Sequence, residues 1–279
     1  MPEKKIPFAV AYDFDGTLTP HNMQEYEFIP ALGLKPKKFW EEVKVLAART
    51  TADEILAYMF QMLKMADQHD IPVRRDDFRR FGGKIEFFPG VLDWFSRVNA
   101  YGRTRGVETG HYVISSGLKE MIEGTPIAGE FKQIYASSFM YDANEVAVWA
   151  AQAVNYTNKT QYLFRINKGA HDLSDKTTVN AYVTPEKRPV PFTNMVFIGD
   201  GETDIPCMRL VREQKGHSVA VYPHGDEKKK RISHQLIEED RVHASLEADY
   251  SPGSPLEKFI FALIDKISAD EKLRSAITP

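Results

Sequence analysis

Residues 8–19, FAVAYDFDGTLT, constrain what the rest of this chain can fold into. A run of apolar residues ends in Asp13, Phe14 and Asp15, followed by Gly16 and two threonines. A strand that is apolar throughout is covered on both faces, which is how strands of a parallel sheet read. Open α/β sheets bind ligands at the carboxyl ends of their strands, so acidic residues there mark a site. Alternation along an extended chain puts Asp13 and Asp15 on one side, about 6–7 Å apart. Two such carboxylates repel each other unless a cation or a shared proton intervenes.

The same signal recurs downstream. Residues 111–114 read as a short apolar strand ending in Ser115, Ser116 and Gly117, with a helix at once after it. Residues 195–198 read as a third strand, ending in GDGETD at 199–204, and 218–222 as a fourth. Residues 131–164 are β-prone with a turn at 142–144, while 248–250 make a last short strand and 255–267 a closing helix. Strand–helix alternation of this kind predicts an α/β fold, a right-handed, doubly wound parallel sheet with helices on both faces.

Residues 21–83 interrupt that alternation directly after the first acidic turn. Their spacing is helical: a helix over 23–32 ended by Gly33, a second begun by Pro36, and a third behind a Thr51/Glu54 capping box. The chain therefore divides into an α/β core, 1–20 and 84–279, and an inserted helical cap, 21–83, over the site. Gly82 and Gly83 read as its hinge.

Composition narrows the class. The 279 residues are 43% hydrophobic and 27% charged with a net charge of −3, which offers nucleic acid no basic face. No stretch has the 18 or so apolar residues of a membrane span. The N-terminus runs straight into the first strand without a signal region, and the one cysteine, Cys207, excludes an intramolecular disulfide; cytoplasm is the expectation. The charged run at 228–231 reads as a solvated helix face.

The chemistry follows from the strand ends. A carboxylate-rich pocket without a histidine or cysteine cluster suits a hard cation with oxygen ligands, Mg²⁺ where phosphate is handled, and not zinc. A carboxylate and a phosphate repel by about 4 kcal/mol per unit-charge pair at 4 Å and an effective dielectric near 20, a penalty a bridging cation removes. Asp13 is then the nucleophile forming an aspartyl-phosphate, Asp15 the acid and base, and Asp200 a metal ligand. A serine hydroxyl with nearby backbone N–H groups holds phosphoryl oxygens, and Lys168 supplies positive charge.

These motifs resemble the haloacid dehalogenase (HAD) superfamily of Asp-dependent phosphohydrolases, in its phosphoserine-phosphatase-like branch. DFDGTLT at 13–19 is similar to the family's first motif, VISSG at 113–117 to its second, RINKG to its third and GDGETD to its fourth. The resemblance implies a HAD-like Rossmannoid core, Asp13 and Asp15 as nucleophile and acid/base, Lys168 as motif lysine, and phosphate held by Thr17, Ser115, Ser116 and Gly117. It also implies Mg²⁺ on Asp13, Asp15, Asp200 and Asp204, and a cap that selects a small phosphorylated substrate, with Glu25, Glu27 and the arginines at 74–80 as contacts. Thr203 stands where the branch more often has Asn, and the long interval from Lys168 to Asp200 keeps Lys176 and Lys187 as alternatives for the lysine. The acidic residue at 15 argues against dehalogenation, which has no leaving oxygen to protonate. The implied activity is hydrolysis of a small phosphomonoester; a phosphotransferase or phosphomutase using the same nucleophile, and a non-catalytic binding protein of this fold, are the alternatives.

Overall fold

Strand β1 (Ile6–Tyr12) is buried from Phe8 onward, and its two faces enter two different cores. Phe8, Val10 and Tyr12 belong to one apolar cluster, Ala9 and Ala11 to the other. This double coverage is why the segment is apolar without alternation. The computed structural model describes residues 5–277.

Four helices follow β1: α1 (Phe28–Ala31), α2 (Pro36–Thr50), α3 (Glu54–Gln68) and α4 (Arg75–Gly82). Next come α5 (Val91–Thr104), β2 (Val107–Leu118), the short α6 (Lys119–Glu123), and an antiparallel hairpin of β3 (Phe131–Tyr141) and β4 (Ala147–Gln152). Helices α7 (Lys159–Lys168) and α8 (Lys176–Asn180) lead into β5 (Met195–Gly199). The chain closes with α9 (Ile205–Glu213), β6 (His217–Tyr222), α10 (Glu227–Glu238), β7 (Ala244–Glu247) and α11 (Pro255–Ile277).

The seven strands lie in the order β4-β3-β2-β1-β5-β6-β7, parallel except for the β3–β4 pair. From β1 the chain winds outward through β2 and β3, then returns to the other side of β1 through β5, β6 and β7. The reversal leaves a crevice beyond the carboxyl ends of β1, β2 and β5, where such sheets bind ligands. Trp94, Phe95 and Val98 of α5 and Ile260, Leu263 and Ile264 of α11 cover one face. Tyr162, Leu163 and Ile166 of α7 and Cys207, Met208 and Val211 of α9 cover the other. Each large apolar side chain so buried contributes about 1.5–3 kcal/mol. Among the described residues no helix is long and apolar enough to cross a membrane.

The helical segment after β1 departs in detail from its sequence reading. Residues 23–32 split into a 3₁₀ turn, Met23–Glu25, and α1. The N-cap of α3 is Asp53, whose carboxylate accepts from Ile55 N at 2.9 Å and Leu56 N at 3.2 Å. Thr51 has no capping-box role, since it closes α2 in the left-handed region with φ 54°. Phe39, Val43, Met59, Met62, Phe78 and Phe81 join the same cluster as β1, so the segment and the sheet share one core. Gly82 is a packing glycine here, not a free pivot: a Cβ on it would sit 1.9 Å from the Met121 carbonyl oxygen of α6.

Further segments differ, among them β2, which runs over Val107–Leu118 and so contains Ser115, Ser116 and Gly117 rather than ending before them. Residues 159–164, the end of the stretch read as β-prone, belong to the helix α7, and the last strand lies at Ala244–Glu247, ahead of 248–250.

Candidate active site

Asp13 is the first residue beyond β1, its N–H bonded to the Ile198 carbonyl of β5 at 2.9 Å. The strand has already ended, so its alternation does not set the geometry of the two carboxylates. A tight turn does: Leu18 N bonds Phe14 O at 2.8 Å and Gly16 N bonds Thr19 O at 2.8 Å. Gly16 adopts φ +76°, and a Cβ on it would sit 2.2 Å from Asp200 Oδ2, so both conformation and space require glycine. Asp15 is aimed by the helical segment, its Oδ1 accepting from Met23 N at 2.9 Å.

Beside Asp13, Gly199 ends β5 and the chain turns through Asp200 to Asp204. Asp204 is fully buried; its Oδ2 accepts from Asp200 N at 3.1 Å, and a Cβ on Gly199 would sit 2.4 Å from that oxygen. On β2 the ladder breaks between Ser115 and Leu118. The bulge turns Ser115, Ser116 and Gly117 toward the crevice, with Ser115 Oγ accepting from Gly117 N at 3.0 Å.

The lysine at this site is Lys159, the first residue of α7. Its Nζ donates to Asp13 Oδ1 at 2.9 Å and to Asp204 Oδ1 at 2.7 Å, and the side chain is 1% exposed. An Asn155 turn sets it there: Asn155 Oδ1 accepts from Thr157 N and Asn158 N, and Lys159 N bonds Asn155 O at 3.0 Å. Lys168 lies a helix length away at the far end of α7, where its Nζ donates to the carbonyls of Val179 at 2.7 Å and Ala181 at 3.0 Å. Lys176 and Lys187 are exposed and line no part of the cavity.

Asp13, Asp15, Ser115, Ser116, Gly117, Lys159 and Asp200 line a cavity of about 890 Å³. The helical segment adds His21, Asn22, Glu25 and Ile55, the loop before α10 adds residues 223–226, and the first turn of α10 adds Glu227 and Lys229. Glu25 is fixed from two sides, accepting from Trp40 Nε1 and Asn22 Nδ2, each at 2.7 Å. Glu27 and the arginines at 74–80 are not on the wall; Arg75, Arg79 and Arg80 pair with acidic neighbours elsewhere. Thr17 is also off the wall. It is fully buried, its hydroxyl makes no hydrogen bond among the described residues, and its carbonyl accepts from Tyr250 OH at 2.8 Å.

Burial and like charge raise the acids. Burial, with Asp204 and Asp200 nearby, pushes Asp13 up to about 7 against the pull of Lys159. Burial and the Asp13 charge hold Asp15 well above the carboxylate range. Asp200 is raised by burial, with Lys229 pulling it back. For Lys159 burial alone would favour loss of its proton, but Asp13 and Asp204 outweigh it and keep the ammonium charged. One oxygen each from Asp13, Asp200 and Asp204 lie within 4.8 Å of one another, the one such cluster among the described residues. All-oxygen, acidic and partly buried, this trio fits a hard divalent cation such as Mg²⁺. Asp15 stands outside it.

Comparison with known proteins bears on the family and the fold. Residues 10–209 match the family described as haloacid dehalogenase-like hydrolase. An uncharacterized protein of Borreliella burgdorferi is 27% identical over 293 residues, covering 95% of this chain and 99% of its own length. Among solved structures, a HAD family hydrolase from Salmonella enterica serovar Typhi superposes with a TM-score of 0.59 at 14% identity, over 95% of this chain and 73% of that one. A substrate-bound phosphoserine phosphatase superposes with a TM-score of 0.54 at 13% identity, over 87% and 93%. At such identities these structures speak to the fold.

Proposed function

The chain belongs to the haloacid dehalogenase-like hydrolases, and from that premise we propose that it is a Mg²⁺-dependent phosphatase acting on a small phosphomonoester through an aspartyl-phosphate. The observation that carries this reading is the pairing of Asp13 with a raised, separately anchored Asp15 in one cavity. Lys159 fixes Asp13 through Oδ1 and leaves Oδ2 as the attacking oxygen. That oxygen bonds to phosphorus while the P–O bond to the leaving group breaks. Asp15, whose proton burial and the Asp13 charge hold more tightly than in a free carboxyl, gives that proton to the departing oxygen. The Asp15 carboxylate then takes a proton from water; the water oxygen attacks phosphorus and the bond to Asp13 breaks, releasing phosphate. A divalent cation on Asp13, Asp200 and Asp204 supplies charge neutralisation for the phosphoryl dianion.

Ser115 supports the phosphate end, since its Oγ accepts from Gly117 N and keeps its own proton to donate. Glu25 lines the same cavity, an acceptor that favours a substrate carrying N–H or O–H donors. A cavity of about 890 Å³ roofed by helical residues suits a metabolite rather than a folded protein.

The test is phosphate release from p-nitrophenyl phosphate with Mg²⁺, with EDTA, and with Asp13→Asn. Turnover that needs the metal and falls about 10³-fold or more in Asp13→Asn is expected. Turnover persisting in Asp13→Asn would remove the covalent mechanism, and phosphate appearing on an added alcohol instead of in solution would make the protein a phosphotransferase.

A further inference from the structure

Each acid of the Asp13, Asp200 and Asp204 trio already holds a lysine. Lys159 takes Asp13 and Asp204, while Lys229, from the first turn of α10, donates to Asp200 Oδ2 at 2.9 Å. The two lysines differ in freedom. The Lys159 side chain is 1% exposed and clamped between two carboxylates, so moving it would leave buried charges unpaired. The Lys229 side chain is 40% exposed, sits on the cavity wall and leans on one carboxylate through a flexible four-carbon stem. A divalent cation ligated by the trio repels both ammonium groups, and of the two lysines Lys229 is the one free to move away from its carboxylate.

We propose that Lys229 is the exchangeable counter-ion of this site: it holds Asp200 while the metal is absent, yields it when the metal binds, and then pairs with the phosphoryl group of the substrate. The inference rests on the divalent-cation reading of the trio. It assigns a site role to a residue of the 228–231 run, whose sequence suggests only a solvated face. Lys229 has room for both positions, because the cavity it lines also holds Asp13, Ser115 and Lys159. Its backbone stays put in either, since its N–H is fixed to the N-cap Asp226 Oδ1 at 2.9 Å.

The experiment is Mg²⁺ titration by calorimetry on the full chain without substrate, together with kcat and KM on the best phosphomonoester found, for wild type, Lys229→Met, Lys229→Arg and Asp200→Asn. In Lys229→Met the Mg²⁺ affinity is expected to rise about tenfold while KM rises about tenfold and kcat stays within about threefold. Lys229→Arg, which keeps the charge, is expected to stay near wild type in both. Lys229→Gln serves as a second neutral variant should the methionine variant fold poorly. Unchanged or weaker Mg²⁺ binding in the neutral variants overturns the exchange, and an unchanged KM overturns the pairing with substrate. If wild type itself does not bind Mg²⁺, or Asp200→Asn binds it as well as wild type, the metal reading fails and the exchange fails with it.

Discussion

Lys159 sits between two buried acids, and that placement decides what its loss would do. Lys159→Met leaves Asp13 and Asp204 facing each other without a cation, and removing one partner of a buried ionic group costs about 3–5 kcal/mol. Urea unfolding in EDTA is expected to show that loss, and phosphate release to fall steeply because Asp13 is no longer held. Lys168→Met removes hydrogen bonds to two carbonyls far from the cavity, so kcat is expected to stay at wild type. Inactive Lys168→Met with active Lys159→Met would reverse the assignment. The acids themselves were legible in the sequence, because each follows an apolar strand and strand ends are where this architecture keeps its chemistry. The lysines were not. Lys159 and Lys229 come from helices, on segments whose composition says nothing of the cavity they enter.

The missed lysine traces to a misread element. In α7, Thr160, Tyr162, Phe164 and Ile166 alternate as a half-buried strand would, and all four residue types favour strands. Tertiary burial decides otherwise, since Tyr162, Leu163 and Ile166 lie on one helical stripe against the sheet. Strands β1, β5 and β6 were readable to within a residue because burial on both faces leaves them apolar throughout. The joint between α4 and α6 could not be read this way, since a glycine pair signals a pivot and a close approach equally well. Gly82→Ala separates the two. A methyl group against the Met121 carbonyl is expected to cost about 1–3 kcal/mol, seen as a Tm drop of about 2–4 °C per kcal/mol. A pivot in open space would lose nothing, and an unchanged Tm would restore it.

Across the whole molecule, the site places several acids inside a fold that must remain stable with or without metal. Asp13 sits at about 7 in the folded chain against 3.8 for an unperturbed Asp, with Asp15 and Asp200 also raised. A raised acid binds its proton more tightly when folded. Its contribution to stability is complete below its unfolded value and is lost as pH rises through the folded one. Metal-free protein therefore loses stability from Asp13 between about pH 4 and 7, and from Asp15 and Asp200 as pH rises through their own raised values. Lys159 and Lys229 offset part of the repulsion. A divalent cation binds the ionised acids and offsets the rest, so its effect must grow with pH. At about 100 times its dissociation constant a ligand stabilises by about 2.7 kcal/mol, on the order of 5–10 °C in Tm for a chain of this size. Differential scanning fluorimetry with and without Mg²⁺ is expected to show a shift of that order at pH 8 and a clearly smaller one at pH 6. Taking the difference at each pH cancels the histidines that burial lowers, His111, His171, His217 and His243, none of which lines the cavity. A Mg²⁺ shift equal at both values would mean that the acids binding the metal are already ionised at pH 6. Asp13 would then stand well below 7, with Lys159 prevailing over burial.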